Sequence, residues 1–389
     1  MAYYINEINK NGQIAVDDTI LVKGYPATAG SKMLQNFVPL FSATAVEKLE
    51  AAGYTLSGKA AVGEFGLDLY GETSSNDICA AASLVSDGKV KAALNVDLNG
   101  APRRAAAIKG VTFVKPTYGT VSRYGIIACA CSGEQIGVTA KDADTAAQVL
   151  SIIAGYDEKD GTSLKDVKNI DYNSDAPAKG MKIAIIKELY AAANDTVKAK
   201  IDSAISAYEK SGATVEEISL DILSEVQTAW AILMSAETTN NLSRFDGVKY
   251  GYRTEKYKNI DELYVSSRTE TFEFLTKATI LYGSDVLSKG KYDDCYDKAL
   301  KIRRVAVEKL AEIFAKYDAL LLPAYSKAEF EGYEKEDAFM KVFDESMFTC
   351  LASISGTPAV VTSGVQLVGD YFCDGKLLAL AKVLEKEEA

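Results

Sequence analysis

The chain contains no histidine. That excludes Ser-His-Asp and Cys-His mechanisms, and any histidine-ligated zinc site. Proton transfer near neutral pH has to come from a lysine, carboxylate, tyrosine or thiolate with a displaced pKa. The six cysteines, at 79, 129, 131, 295, 350 and 373, form no C-x-x-C pair and no metal-ligand spacing. They read as small apolar packing residues in a reducing compartment. No metal and no cofactor is expected. No apolar run reaches the roughly 20 residues of a bilayer span, and no basic stretch followed by an apolar one opens the chain. A cytoplasmic protein without membrane contact is the expectation.

What is present is ordinary in bulk. With 48% hydrophobic and 25% charged residues over 389 positions, the composition is that of a globular protein, and length alone suggests two or three domains. The net charge of −11 disfavours wrapping nucleic acid, so no direct nucleic-acid binding is expected.

Helix and strand signals alternate. Thr44-Ala45-Val46-Glu47 has the form of a capping box opening a helix that Gly53 ends. Residues 144–154 form an amphipathic helix stopped by Gly155, and 156–180, polar and punctuated by glycine and proline, reads as a surface linker. Lys182 to Ile186 is a buried strand, about Thr196 to Ser211 a helix, and Val215, Ile218 and Leu220 the next strand. A further helix covers 299–316, and Ala319 to Leu322 a short strand closed by Pro323. This succession is an α/β signature.

The segment Asp97-Leu98-Asn99-Gly100-Ala101-Pro102-Arg103, followed by Lys115-Pro116-Thr117-Tyr118-Gly119-Thr120-Val121-Ser122-Arg123-Tyr124-Gly125, resembles the amidase-signature family. So do Gly30-Ser31-Lys32-Met33-Leu34, residues 241–251 and residues 364–369, in the family's order. Within the family the blocks look most like the A-subunit branch of the tRNA-dependent amidotransferases. The resemblance implies one α/β/α domain over 1–389, with a central mixed sheet flanked by helices, shortened at the N-terminus and in internal loops.

The resemblance also implies a chemistry. Family members use a lysine, a bridging serine in a cis peptide, and a nucleophilic serine, with Gly-rich-loop N–H groups holding the oxyanion. Asp17 stands at the lysine position and Ala101 at the nucleophile position, in a loop formed by Asp97, Leu98, Asn99, Gly100 and Arg103. An ungapped count puts Asp77 at the bridging serine, whereas a small insertion aligns Ser74-Ser75 instead. The family's substrate-gripping arginine falls at Thr279. Ser74, Ser75 or Cys79, with Lys59 as base, are alternative machinery, though Lys59 reads first as structural. The expectation is an amidase-like protein that has lost hydrolysis and serves binding or assembly. Its partners by analogy are amidotransferase B or C subunits or an A-subunit paralogue. The rival is an active amidase, or a glutamine-hydrolysing subunit, with non-standard residues.

Overall fold

A computed structural model describes residues 3–71, 79–165, 170–173 and 175–388. Its strands in chain order are β1 (Tyr4–Glu7), β2 (Ile14–Asp17), β3 (Leu56–Ala60), β4 (Ala92–Asp97), β5 (Thr112–Lys115), β6 (Gln135–Ala140), β7 (Lys182–Ile186), β8 (Thr214–Ile218), β9 (Ala319–Leu322), β10 (Ala359–Thr362) and β11 (Val365–Val368). They form one sheet in the order β1-β3-β2-β4-β6-β5-β10-β11-β9-β7-β8. The sheet is mixed: β2 runs parallel to β3 and β4, and β7 to β8 and β9. Strands β4, β6, β5, β10, β11 and β9 pair antiparallel in turn.

Successive side chains of a strand leave opposite faces, and the core divides accordingly. Ile183, Ile185, Leu321, Ile14 and Val16 join one apolar cluster with the helices Ala143–Ile153 and Asp195–Lys210. Ala184, Ile186, Leu320 and Leu322 point the other way, toward the helices Leu223–Leu242 and Lys298–Phe314. Ala15, Ala93 and Val361 pack there too, against the helices Ala80–Ser86 and Ala101–Lys109. A sheet covered by helices on both faces buries its strands almost completely.

Local signals hold with specific changes. Asp142 caps the helix Ala143–Ile153 by accepting from the Thr145 N–H, and Asn194 caps Asp195–Lys210 in the same way. The capping box at Thr44 does not form. Its helix, Thr44–Ala51, starts one residue early with Ala43 as cap, and the Thr44 hydroxyl donates to Asp157 instead at 2.6 Å. Leu220 lies beyond the end of β8. Within the expected linker, Asp157 also accepts from Ser122 and Asp160 from the Arg123 N–H, both at 2.7 Å, while Tyr172 and Ala178 are buried in the core. These residues are tied to the body of the molecule. Among the described residues no helix is long and apolar enough to cross a membrane.

Candidate active site

Strand β4 delivers Asp97 to the sheet end, where the chain turns sharply into the helix Ala101–Lys109. The turn needs Gly100. Its φ is +86°, and an added Cβ would stand 2.5 Å from the Thr349 side chain. Asp97 braces the turn by accepting from the Gly100 N–H at 3.0 Å, which commits one loop amide to a side chain. The same carboxylate receives Arg103 Nε at 2.7 Å and Nη2 at 3.2 Å. Arg103 spends its remaining donors on Thr349 O, Gln366 Oε1 and Ser353 Oγ. Both partners are fully buried.

Ala101 is the first residue of that helix and is 4% exposed. It offers only a methyl group to whatever lies beside it. The preceding Asn99 is held on two sides. Its carbonyl accepts from Arg104 Nη2 at 2.8 Å and Thr349 Oγ1 at 3.1 Å, and its side-chain oxygen from Trp230 Nε1 at 2.7 Å. Thr279 lies in the helix Phe274–Val286, buried, with its hydroxyl donating to Leu275 O. Asn99, Trp230 and Thr279 share the lining of a cavity of about 10 Å³, at the lower limit for one water. The structure therefore brings Thr279, Asn99 and Trp230 to one small cavity.

Asp17 ends β2 and is buried, accepting from the Val96 N–H at 3.1 Å through Oδ2. Its Oδ1 has no hydrogen-bond partner among the described residues. Burial is the main cause that raises its pKa, to about 7. Lys59, on β3, donates to the carbonyls of Asp17 at 3.1 Å, Asp18 at 3.4 Å and Ile20, and pairs with Asp18 at 3.9 Å. It staples the turn after β2, and desolvation lowers its pKa to about 8. With its three N–H donors turned to main-chain oxygens, Lys59 is badly placed to take a proton from a nucleophile.

Cys79 lies within the field of Asp17 and Asp68, and burial above all pushes its thiol up to about 12. A thiol that stays protonated is a poor nucleophile, which counts against Cys79 as alternative machinery. Ser74, Ser75 and Asp77 lie outside the described residues. Sequence reasoning missed Trp230 and Arg104. The chain's single tryptophan was the available signal for the first, since an indole seeks burial with a partner for its N–H. Among the described residues no group of three or more Cys, Asp or Glu is arranged to hold a metal.

A mixed sheet sheathed in helices, with a glycine-led turn from strand to helix clasped by a buried Asp–Arg pair, defines an α/β protein. The Amidase family model matches residues 13–77 and 80–378, and the chain belongs to that family. It is 37% identical over 396 residues to the A subunit of glutamyl-tRNA(Gln) amidotransferase from Thiobacillus denitrificans, covering 95% of this chain and 81% of that one. The Latilactobacillus sakei protein of the same name is 36% identical, with 92% and 79% covered. The crystal structure of the corresponding Thermotoga maritima protein superposes with a TM-score of 0.80 at 30% identity, covering 96% of this chain and 82% of that one.

Proposed function

We propose that this chain is an amidase-family protein, similar to amidotransferase A subunits, that does not hydrolyse amides by the family's serine chemistry and acts by binding. The observation that carries the reading is Ala101 at the head of the helix Ala101–Lys109, where the resemblance calls for the attacking serine. Loss of a serine nucleophile costs about a million-fold in kcat where it has been dissected. Asp17 at the lysine position supports it, because a carboxylate that is half protonated near pH 7 is no substitute for a neutral amine. The cavity that Asn99 and Trp230 share with Thr279, about 10 Å³, supports it further, being far too small for an amide substrate.

We take 1–389 as one amidase domain. Its fitting partners are the B or C subunits of a tRNA-dependent amidotransferase, or an active A-subunit paralogue. The test is ammonia release from glutamine, asparagine and simple amides, beside an Ala101→Ser control. The native chain is expected to release none above blank, and to co-purify with one of those partners when the two are co-expressed. Release that falls on substituting Ser74, Ser75 or Cys79 would overturn the reading in favour of a rebuilt amidase.

A further inference from the structure

A cleft of about 410 Å³ opens beside the end of β3, and none of residues 97–103 is among the described residues lining it. This is the size range of small-molecule sites. Its walls include Val62, Leu275, Phe330 and Tyr333, and its floor Glu64 and Asp68, 7% and 6% exposed.

Glu64 is held by neutral donors, the Ser31 hydroxyl at 2.6 Å and the Glu273 N–H at 2.8 Å. Among the described residues no lysine or arginine lies within ion-pair distance of it. Behind the wall, Asp18 accepts from Thr28, a lining residue, at 2.9 Å. The buried Lys59 answers Asp18 and Asp17, so its charge is already matched. The helix Phe274–Val286 does point its N-terminus at the cleft. That end carries about half a positive charge, less than the full charge of one carboxylate. Lys32 and Lys335 line only the exposed rim, and the Lys32 ammonium rests 4.1 Å over the Tyr252 ring. Glu273 lines the same exposed rim, so the mouth carries both signs of charge, while Glu64 makes the interior negative between apolar walls.

We propose that this cleft binds a small organic cation, a primary amine on an apolar body, with its ammonium toward Glu64 and its body against Val62, Leu275 and Phe330. A cation supplies the counter-charge that Glu64 lacks. Phe330 and Tyr333, both aromatic, stand among the lining residues, and an aromatic lining favours a cation over an anion. Burial raises the Glu64 pKa, and a bound cation beside it would favour the charged carboxylate. The inference goes beyond the proposed function and holds whether or not amides are hydrolysed.

The test uses three probes of one shape, 3-phenylpropylamine, 3-phenylpropanol and 3-phenylpropanoate, titrated into the full chain by ligand-observed NMR. The amine is expected to bind about tenfold tighter than the alcohol, the carboxylate weakest, and the amine's advantage to shrink as salt is raised. Glu64→Gln keeps an acceptor for Ser31 and should cut the amine's advantage at least threefold while leaving the alcohol unchanged. Phe330→Ala should weaken both alike. Lys335→Glu, on the exposed rim, keeps the proposal testable if Glu64→Gln fails to fold: it should tighten the amine two- to threefold and loosen the carboxylate. Equal binding of amine and alcohol, preference for the carboxylate, or no binding of any probe at millimolar concentration overturns the proposal.

Discussion

Two buried cations lie at one end of the sheet and are treated differently. Arg103 has five N–H donors in a rigid fork, and five bonds to Asp97, Thr349, Gln366 and Ser353 use them. Lys59 has three, spends them on backbone carbonyls, and reaches Asp18 only at 3.9 Å. Its other neighbour, Asp17, keeps one oxygen without a hydrogen-bond partner among the described residues. Burial is comparable, so it does not explain the contrast. Geometric match does. Where the carboxylate is bonded through both oxygens the pair is a structural clasp; at Asp17, with one oxygen unmet, desolvation raises the pKa.

The largest effect follows from breaking the matched pair. Arg103→Met strands Asp97 in the core and is expected to cost about 3–5 kcal/mol in urea unfolding. Arg103→Lys should recover little, since one ammonium cannot serve acceptors spread around a planar fork. A loss under about 1 kcal/mol would show that the clasp contributes no more than a surface pair.

The unmatched site predicts a pH dependence of definite sign. Asp17 holds its proton in the folded chain up to about pH 7, whereas the unfolded chain releases it in the ordinary carboxylate range. Between those values the folded state binds more protons, so this group's contribution to stability falls as pH rises and levels off above about 7. At about 1.4 kcal/mol per pH unit, the cost at pH 8 is bounded at about 4 kcal/mol. Asp17→Asn should flatten the slope between pH 4 and 7 and leave the variant more stable than the native chain at pH 8. Thermal melts across that range read both outcomes, and an unchanged slope would assign the titration elsewhere.

The same contrast explains what was legible. Asp97, Gly100 and Arg103 lie within seven residues, and turn chemistry of that range is written locally. The two-face strand pattern of 182–186 and 319–322 is equally local. The partners that decide what the loop can do are remote: Trp230 is 131 positions from Asn99, and Gln366 is 263 from Arg103. No periodicity reports such pairs. Thr44 failed as a cap for a related reason, because Asp157, 113 positions away, competed successfully for its hydroxyl. Cys79 invited reading as a nucleophile because a sequence does not display burial, and burial raises the thiol's pKa.

Trp230 tests how rigidly the matched loop is held. Trp230→Phe removes the 2.7 Å bond to Asn99 while keeping an aromatic ring in place. The loss of one buried hydrogen bond predicts about 1–2 kcal/mol, including the cost of leaving the Asn99 oxygen unpaired. The smaller ring should also enlarge the cavity of about 10 Å³, measurable as increased binding of xenon or benzene. No change in either would mean that the helix Leu223–Leu242 is positioned by other contacts.

The smallest effect isolates what burial adds to geometry. Arg304 Nε approaches Glu308 Oε1 at 2.6 Å, as close as Arg103 Nε comes to Asp97, yet these side chains are 75% and 55% exposed. Water already solvates both ions, so their contact replaces good hydration with a bond of similar worth, less the entropy of fixing two long chains. Arg304→Ala is expected to change stability by no more than about 0.5 kcal/mol, and that remnant should vanish in about 0.5 M salt. Because the two contact distances match, a several-fold larger loss for Arg103→Met would come from burial together with the further bonds that Arg103 makes. Equal losses would instead make distance, rather than desolvation, the quantity that sets the strength of ion pairs in this fold.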